Sequence, residues 1–214
     1  METNNPNPTP QAPVEAAPEV KVNKKAIVTA SIIVLALVVI GLIWYFMSAN
    51  ASHKADEAIA LADVELNDSV ALQRYMDAAK LGHKSGNRAK LEAAMRLYQK
   101  GEYQQALLYL EDASVSSDIV EAGKYTLMGD CYVNLDNYDK ALSCYDKAIS
   151  ASDNNPQIVP FVLVKKANIY RAQGKYADEY AAYEKIVNNY PEYAKNLNFD
   201  IRKYAERARV AAGK

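Results

Sequence analysis

Cysteine and histidine are scarce in this chain, at two residues each among 214. That leaves little material for a metal site or a nucleophile–base pair. No G-x-S-x-G, Walker loop, HExxH or CxxC occurs, so the signatures of the common hydrolases, nucleotide binders and zinc sites are absent. Charge excess is missing too. Lys and Arg number 25 against 26 Asp and Glu, a net of -1, whereas a nucleic-acid binder normally carries a basic surplus. Phenylalanine (three) and tryptophan (one) are rare, yet tyrosine reaches sixteen, and fifteen of those lie beyond residue 70. The tyrosines therefore belong to one kind of structure.

Five of the eight prolines fall within Met1–Val20, a stretch with several Asn and little that is apolar beyond Ala and Val. It cannot bury enough surface to offset its chain entropy, and residues 1–23 read as a disordered tail. From Ala26 to Met47 the chain then runs AIVTASIIVLALVVIGLIWYFM without a charge. As a helix this run is about 33 Å long, the thickness of a bilayer core. Trp44, Tyr45 and Phe46 cluster at its end, where an interfacial aromatic belt would sit. Lys21, Lys24 and Lys25 precede the span, and His53 and Lys54, then acidic Asp56 and Glu57, follow it. The positive-inside rule therefore predicts a cytoplasmic N-terminus and an external body. Ala49-Asn50-Ala51 has the small-x-small form of a signal-peptidase site. The apolar run is longer than that of a cleaved signal, so an uncleaved signal anchor over residues 24–48 is the expectation.

Beyond the anchor, self-similarity dominates. LYQKGEYQQALLYL (97–110), CYVNLDNYDKALSCYDKAI (131–149) and IYRAQGKYADEYAAYEKI (169–186) share a skeleton, with units starting near Asn87, Ala122 and Pro160. The spacing is 35 and then 38 residues, the longer interval holding the turn-forming Ser152-Asp153-Asn154-Asn155. This pattern resembles the tetratricopeptide repeat, a helix–turn–helix of about 34 residues. The match rests on Ala94, Leu97, Gly101, Tyr103, Ala106, Leu110 and Ala113, then on Tyr125, Gly129, Tyr132, Tyr138, Ala141, Tyr145 and Ala148. In the last unit it rests on Leu163, Ala167, Tyr170, Gly174, Tyr176, Tyr183 and Pro191. Gly101 and Gly174 are expected to end first helices in the left-handed region. Glu179 and Lys166 depart from the pattern, standing where a small residue and Leu are usual, so looser packing is expected in the last pair.

The fold class expected is all-α, a tetratricopeptide-like antiparallel helix-pair solenoid after one transmembrane helix. Residues 49–86 read as a linker helix and degenerate first repeat, on Ala71, Tyr75 and Ala78, with 82–86 as a connecting run. Three repeats follow over 87–192 (87–121, 122–159 and 160–192), with Asp118 and Glu121 reading as a capping box. Residues 193–214 would form one terminal helix covering the last apolar edge.

Repeats of this type line a concave groove with the first helix of each pair. The resemblance places Arg88, Leu91, Met95, Tyr98, Thr126, Asp130, Val133, Phe161, Val164, Asn168 and Arg171 on that wall. The position at which chaperone-binding relatives grip a carboxylate with lysine holds Leu91, Thr126 and Val164, so that clamp is not expected. Cys131 and Cys144 fall on the two helices of one hairpin. A disulfide between them is chemically permitted outside the cytoplasm, although small apolar core residues are the simpler reading. His53 and His83 are too far apart in sequence to suggest a shared metal. Charge is unevenly divided, with 11 basic and 17 acidic residues over 26–160, a net of -6, and 11 and 6 over 161–214, a net of +5.

The whole layout is similar to the YfgM-type ancillary subunit of the bacterial SecYEG translocon, and to single-pass tetratricopeptide proteins of Bacteroidota. GDCYVNLDNYDKAL and FDIRKYAERA carry that likeness best. It implies a non-enzymatic adaptor without cofactor, anchored in the bacterial inner membrane with its repeats in the periplasm. Its expected partners are proteins (Sec translocon subunits, a periplasmic chaperone or unfolded client segments) and not nucleic acid. The alternative is a self-associating scaffold for envelope assembly or cell division.

Overall fold

The computed structural model of the chain describes residues 24–81, 83–196 and 200–214. The tail expected over 1–23 lies outside the described residues, as do Gly82 and the Phe199 of the terminal motif. Among the described residues there are ten helices and no strand. They are α1 (Lys24–Asp63), α2 (Asp68–Ala79), α3 (His83–Gln99), α4 (Tyr103–Asp112), α5 (Asp118–Asn134), α6 (Tyr138–Ala151), α7 (Ile158–Ala172), α8 (Tyr176–Asn189), α9 (Pro191–Asn196) and α10 (Ile201–Ala211). The chain divides into two units, residues 1–46 and 47–214.

In the first unit, the part of α1 from Ile27 onward exposes every large apolar side chain it carries. One helix among the described residues is long and apolar enough to cross a membrane, and it is this one. The combination fits a segment whose apolar surface meets lipid.

The second unit is a helix-pair solenoid of the tetratricopeptide type. Its period is legible in the backbone. The amide of Glu102 donates to the Leu97 carbonyl, that of Asn137 to Tyr132 and that of Lys175 to Tyr170, over 2.9, 2.9 and 2.8 Å. Each bond closes the C-terminus of a first helix, and each requires a left-handed residue just before the donor. Gly101 and Gly174 hold that place with φ of 81° and 69°, and Asp136 holds it with φ of 55°. Between helices the same period recurs in buried side chains. Ala71, Ala106 and Ala141 are fully buried, which lets backbones approach, and Tyr75, Leu110, Tyr145 and Tyr183 fill the wedges behind them. Gly129 is glycine because the Tyr145 ring occupies the place its Cβ would take.

Four expectations change. The run 82–86 is not a connector, since α3 already begins at His83 and carries Gly86 over the last carbonyls of α2. The capping box at Asp118 is absent. Ser117 stands at the cap without a side-chain hydrogen bond, and Asp118 and Glu121 lie inside the first turn, where their charge favours the helix dipole. The single terminal helix is two, because the Asp200 carboxylate accepts from the Arg202 and Lys203 amides and opens α10 afresh. Finally, the last pair is closely packed. Val159, Leu163, Ala167, Tyr183, Ile186, Ile201 and Ala205 form one cluster, and Glu179, wholly buried, meets Arg207 of α10 at 2.6 Å. The cap helix supplies the cation that makes the departure from a small residue tolerable.

Candidate protein-binding groove

The first helices α3 and α5 place cleft-lining residues at steps of three and four, so each offers one stripe. On α3 the stripe is Leu91, Met95 and Tyr98; on α5 it is Val120, Gly123, Leu127, Asp130 and Asn134. Two clefts lie along these stripes. One, of about 290 Å³, is walled by Leu91, Glu92 and Met95 of α3, Leu110 of α4, and Val120, Gly123, Lys124 and Leu127 of α5. The other, of about 310 Å³, lies among Tyr98, Asp130, Val133, Asn134, Tyr138 and Tyr145, and is closed from α7 by Lys165, Asn168, Ile169 and Ala172.

The first cleft is mostly apolar. Met95 is half-exposed there, and the Lys124 ammonium is turned to the Ala113 carbonyl at 3.0 Å and over the Tyr125 ring.

The second cleft is organised around Asp130. Its carboxylate accepts from the Lys165 ammonium at 2.9 and 3.0 Å and from the Tyr145 hydroxyl at 2.6 Å. Lys165 also lies over the Phe161 ring, 4.9 Å from its centroid. Both members of the ion pair are largely withdrawn from water, so their mutual charge-assisted bonds matter more than those of a surface pair. Burial, reinforced by the Asp130 charge, pushes the Tyr145 phenol well above its usual value, and burial does the same more mildly to Tyr98. The Asn134 side-chain amide donates to its own helix at the Asp130 carbonyl, 2.9 Å away, and lines the cleft beside Tyr98. Asn168 is exposed at the cleft's α7 wall.

Of the residues expected on the wall, Leu91 and Met95 meet in the apolar cleft, and Tyr98, Asp130, Val133 and Asn168 in the polar one. The others line neither. Thr126 is buried, its hydroxyl donating to the Ala122 carbonyl at 2.8 Å, which lets a polar side chain enter the core without a partner from elsewhere. Val164 packs against the C-terminal cluster, and Arg88 pairs with Asp63 of α1 at 3.0 Å. Phe161 and Arg171 are exposed outside both clefts. Sequence reasoning missed Lys165, Asn134, Tyr138 and Tyr145. A signal for the first was present, since Met95, Asp130 and Asn168 stand at equivalent repeat positions and Lys165 lies one turn before the last of them.

Cys131 and Cys144 are free thiols and both are buried. Burial first, then the Asp130 charge, pushes the Cys131 thiol up to about 12, and burial raises Cys144 as well. Such thiols stay protonated and unreactive at neutral pH. His53 is exposed, and the His83 side chain lies outside the described residues.

Comparison with known proteins agrees with this architecture. Two tetratricopeptide repeat models match, over residues 125–155 and 161–193. The chain is also similar to the Homo sapiens protein O-mannosyl-transferase TMTC1, 27% identical over 154 residues. That alignment takes in 71% of this chain and 17% of the human protein, so the chain spans about a sixth of that relative's length.

Proposed function

We propose that the chain is a membrane-anchored adaptor that holds extended protein segments in the groove between α3, α5 and α7. The observation carrying this reading is the alignment of two open clefts along one wall, an apolar one and a polar one whose ion pair is already satisfied. Repeats of this family typically act in protein–protein contact, not in catalysis. The buried, protonated thiols and the occupied Asp130 carboxylate support the same view, because neither supplies a ready nucleophile or base. The transferase activity in the human relative's name is not part of this proposal.

In this reading residues 26–47 span the bacterial inner membrane, the N-terminus is cytoplasmic and the repeats work in the periplasm, near Sec translocon subunits, a periplasmic chaperone or unfolded clients. Purification of the tagged full chain from gently solubilised membranes, with co-purifying proteins identified by mass spectrometry, tests it. Recovery of Sec subunits or a periplasmic chaperone, lost on Met95→Glu with Asn168→Glu, is the expected result. Recovery of the chain alone as a defined oligomer would contradict it. That outcome would favour a self-associating scaffold, a second reading supported by the exposed apolar residues Leu61, Val64, Leu66 and Val70 around the α1–α2 turn.

A further inference from the structure

Two features of α5 narrow what the groove can hold. Gly123 lies in the helix interior, where glycine is less favourable than alanine. Among the described residues, nothing inside the fold accounts for it. A Cβ built there meets no atom within 4 Å, whereas the Cβ of Gly129 would strike Tyr145. Gly123 instead exposes bare backbone to the apolar cleft, between Val120 and Leu127 and across from Leu91 and Met95. A missing side chain at such a place leaves room for a foreign one to reach the helix surface.

The second feature is electrical. Asp130 and Lys165 neutralise one another, and Glu92 and Lys124 bring opposite signs to the apolar cleft, so neither cleft offers a net charge to a charged ligand. What remains in the polar cleft are neutral groups, the Tyr98 and Tyr138 hydroxyls and the side-chain amides of Asn134 and Asn168, which can both donate and accept, as a peptide backbone does. Gly123 and Asn134 are about 16 Å apart along α5, the length of about five residues of extended chain.

The geometry points to an uncharged, extended polypeptide segment as the occupant, with one large apolar side chain seated over Gly123. Its backbone, about five residues away, is held by Asn134 and Asn168. Complementarity here is that of a neutral ligand to a self-neutralised wall. A charged side chain would either be desolvated against Leu91, Met95 and Leu127 or compete with the Asp130–Lys165 pair. This inference rests on the groove reading above.

The test uses the full chain in lipid nanodiscs, with empty discs as the control for partitioning. The probe is a capped peptide of Gly, Ser and Asn carrying a single Leu and a rhodamine label, read by fluorescence anisotropy. Replacing that Leu by Ser, Asp or Lys is expected to weaken binding by about tenfold or more, the factor that burial of one such side chain confers. Gly123→Leu fills the seat and is expected to cost a similar factor while Tm stays the same or rises, an outcome that misfolding cannot imitate. Asn134→Ala with Asn168→Ala is expected to weaken the Leu peptide several-fold. Equal binding by the Asp or Lys peptides, or no effect of Gly123→Leu, overturns the inference and leaves the groove reading standing. Failure of every peptide to bind overturns both. Disc-to-disc association abolished by Gly123→Leu would seat a second copy in the cleft and overturn it as well.

Discussion

Gly123 and Gly129 stand on the same helix and are glycine for opposite reasons, which makes them a matched pair at the residue scale. Alanine at Gly129 must displace the Tyr145 ring, wedged between α5 and α6, and is expected to cost about 1–3 kcal/mol. Alanine at Gly123 meets open space and is expected to add about 0.5–1 kcal/mol through helix propensity alone. Urea unfolding of the two variants checks both signs. A second residue-scale case is Asp63. The hydrogen bond from the Tyr75 hydroxyl, with help from Arg88, holds its carboxyl below the usual 3.8. Its contribution to stability is therefore present above pH 3.8 and lost as pH falls through the lowered value. In Tyr75→Phe, an NMR titration is expected to show the Asp63 carboxyl moving back up toward 3.8; an unchanged titration would assign the depression to Arg88.

At the scale of the element, α10 is fastened by the apolar packing of Ile201 and Ala205 and by one buried ion pair. Glu179 is fully buried on α8, and among the described residues only one of its oxygens has a partner, the Arg207 guanidinium. Removing the two members should not be equivalent. Arg207→Ala strands a charge in the core and is expected to cost on the order of 3 kcal/mol. Glu179→Gln keeps the volume and releases an arginine already half in water, at a cost nearer ~1 kcal/mol. Hydrogen exchange of the α10 amides should rise sharply in the first variant, weakly in the second, and intermediately in the double variant. The latch was not legible in the sequence. Glu179 read as a packing defect because its partner lies 28 residues away, on a helix whose start depends on the Asp200 cap. The helix ends at Gly101 and Gly174 were legible, since a left-handed backbone restricts the residue locally and no distant partner decides it.

Across the whole molecule, the tyrosine-rich wedge layer makes the fold sensitive to alkali. Burial raises the phenols of Tyr75, Tyr98, Tyr132, Tyr145, Tyr183 and Tyr193 above 10, and the thiols of Cys131 and Cys144 above 9. Above those values the unfolded chain has released protons that the folded chain still holds. Stability thus falls as pH rises through about 9 to 10, and is fully present below. Thermal melts followed by circular dichroism from pH 7 to 11 are expected to show a steep decline in Tm beginning near pH 9. The repeat period and the long apolar helix were legible because each is a pattern sustained over many residues. The lining of the two clefts was only half legible. Met95, Tyr98, Asp130 and Asn168 follow from the period, but Thr126 turned inward because its hydroxyl could satisfy itself on its own helix. Lys165 became a wall residue only through its bond to Asp130 on the preceding repeat.

The most direct test of a working concave face is photo-crosslinking in intact cells. A photoreactive phenylalanine is placed at Met95, half-exposed in the apolar cleft, or at Leu108, exposed on α4 and lining neither cleft. Adducts to other polypeptides from position 95, with few or none from 108, are the predicted result. Adducts of equal yield from both positions, or from 108 alone, would contradict the assignment of the groove as the binding surface.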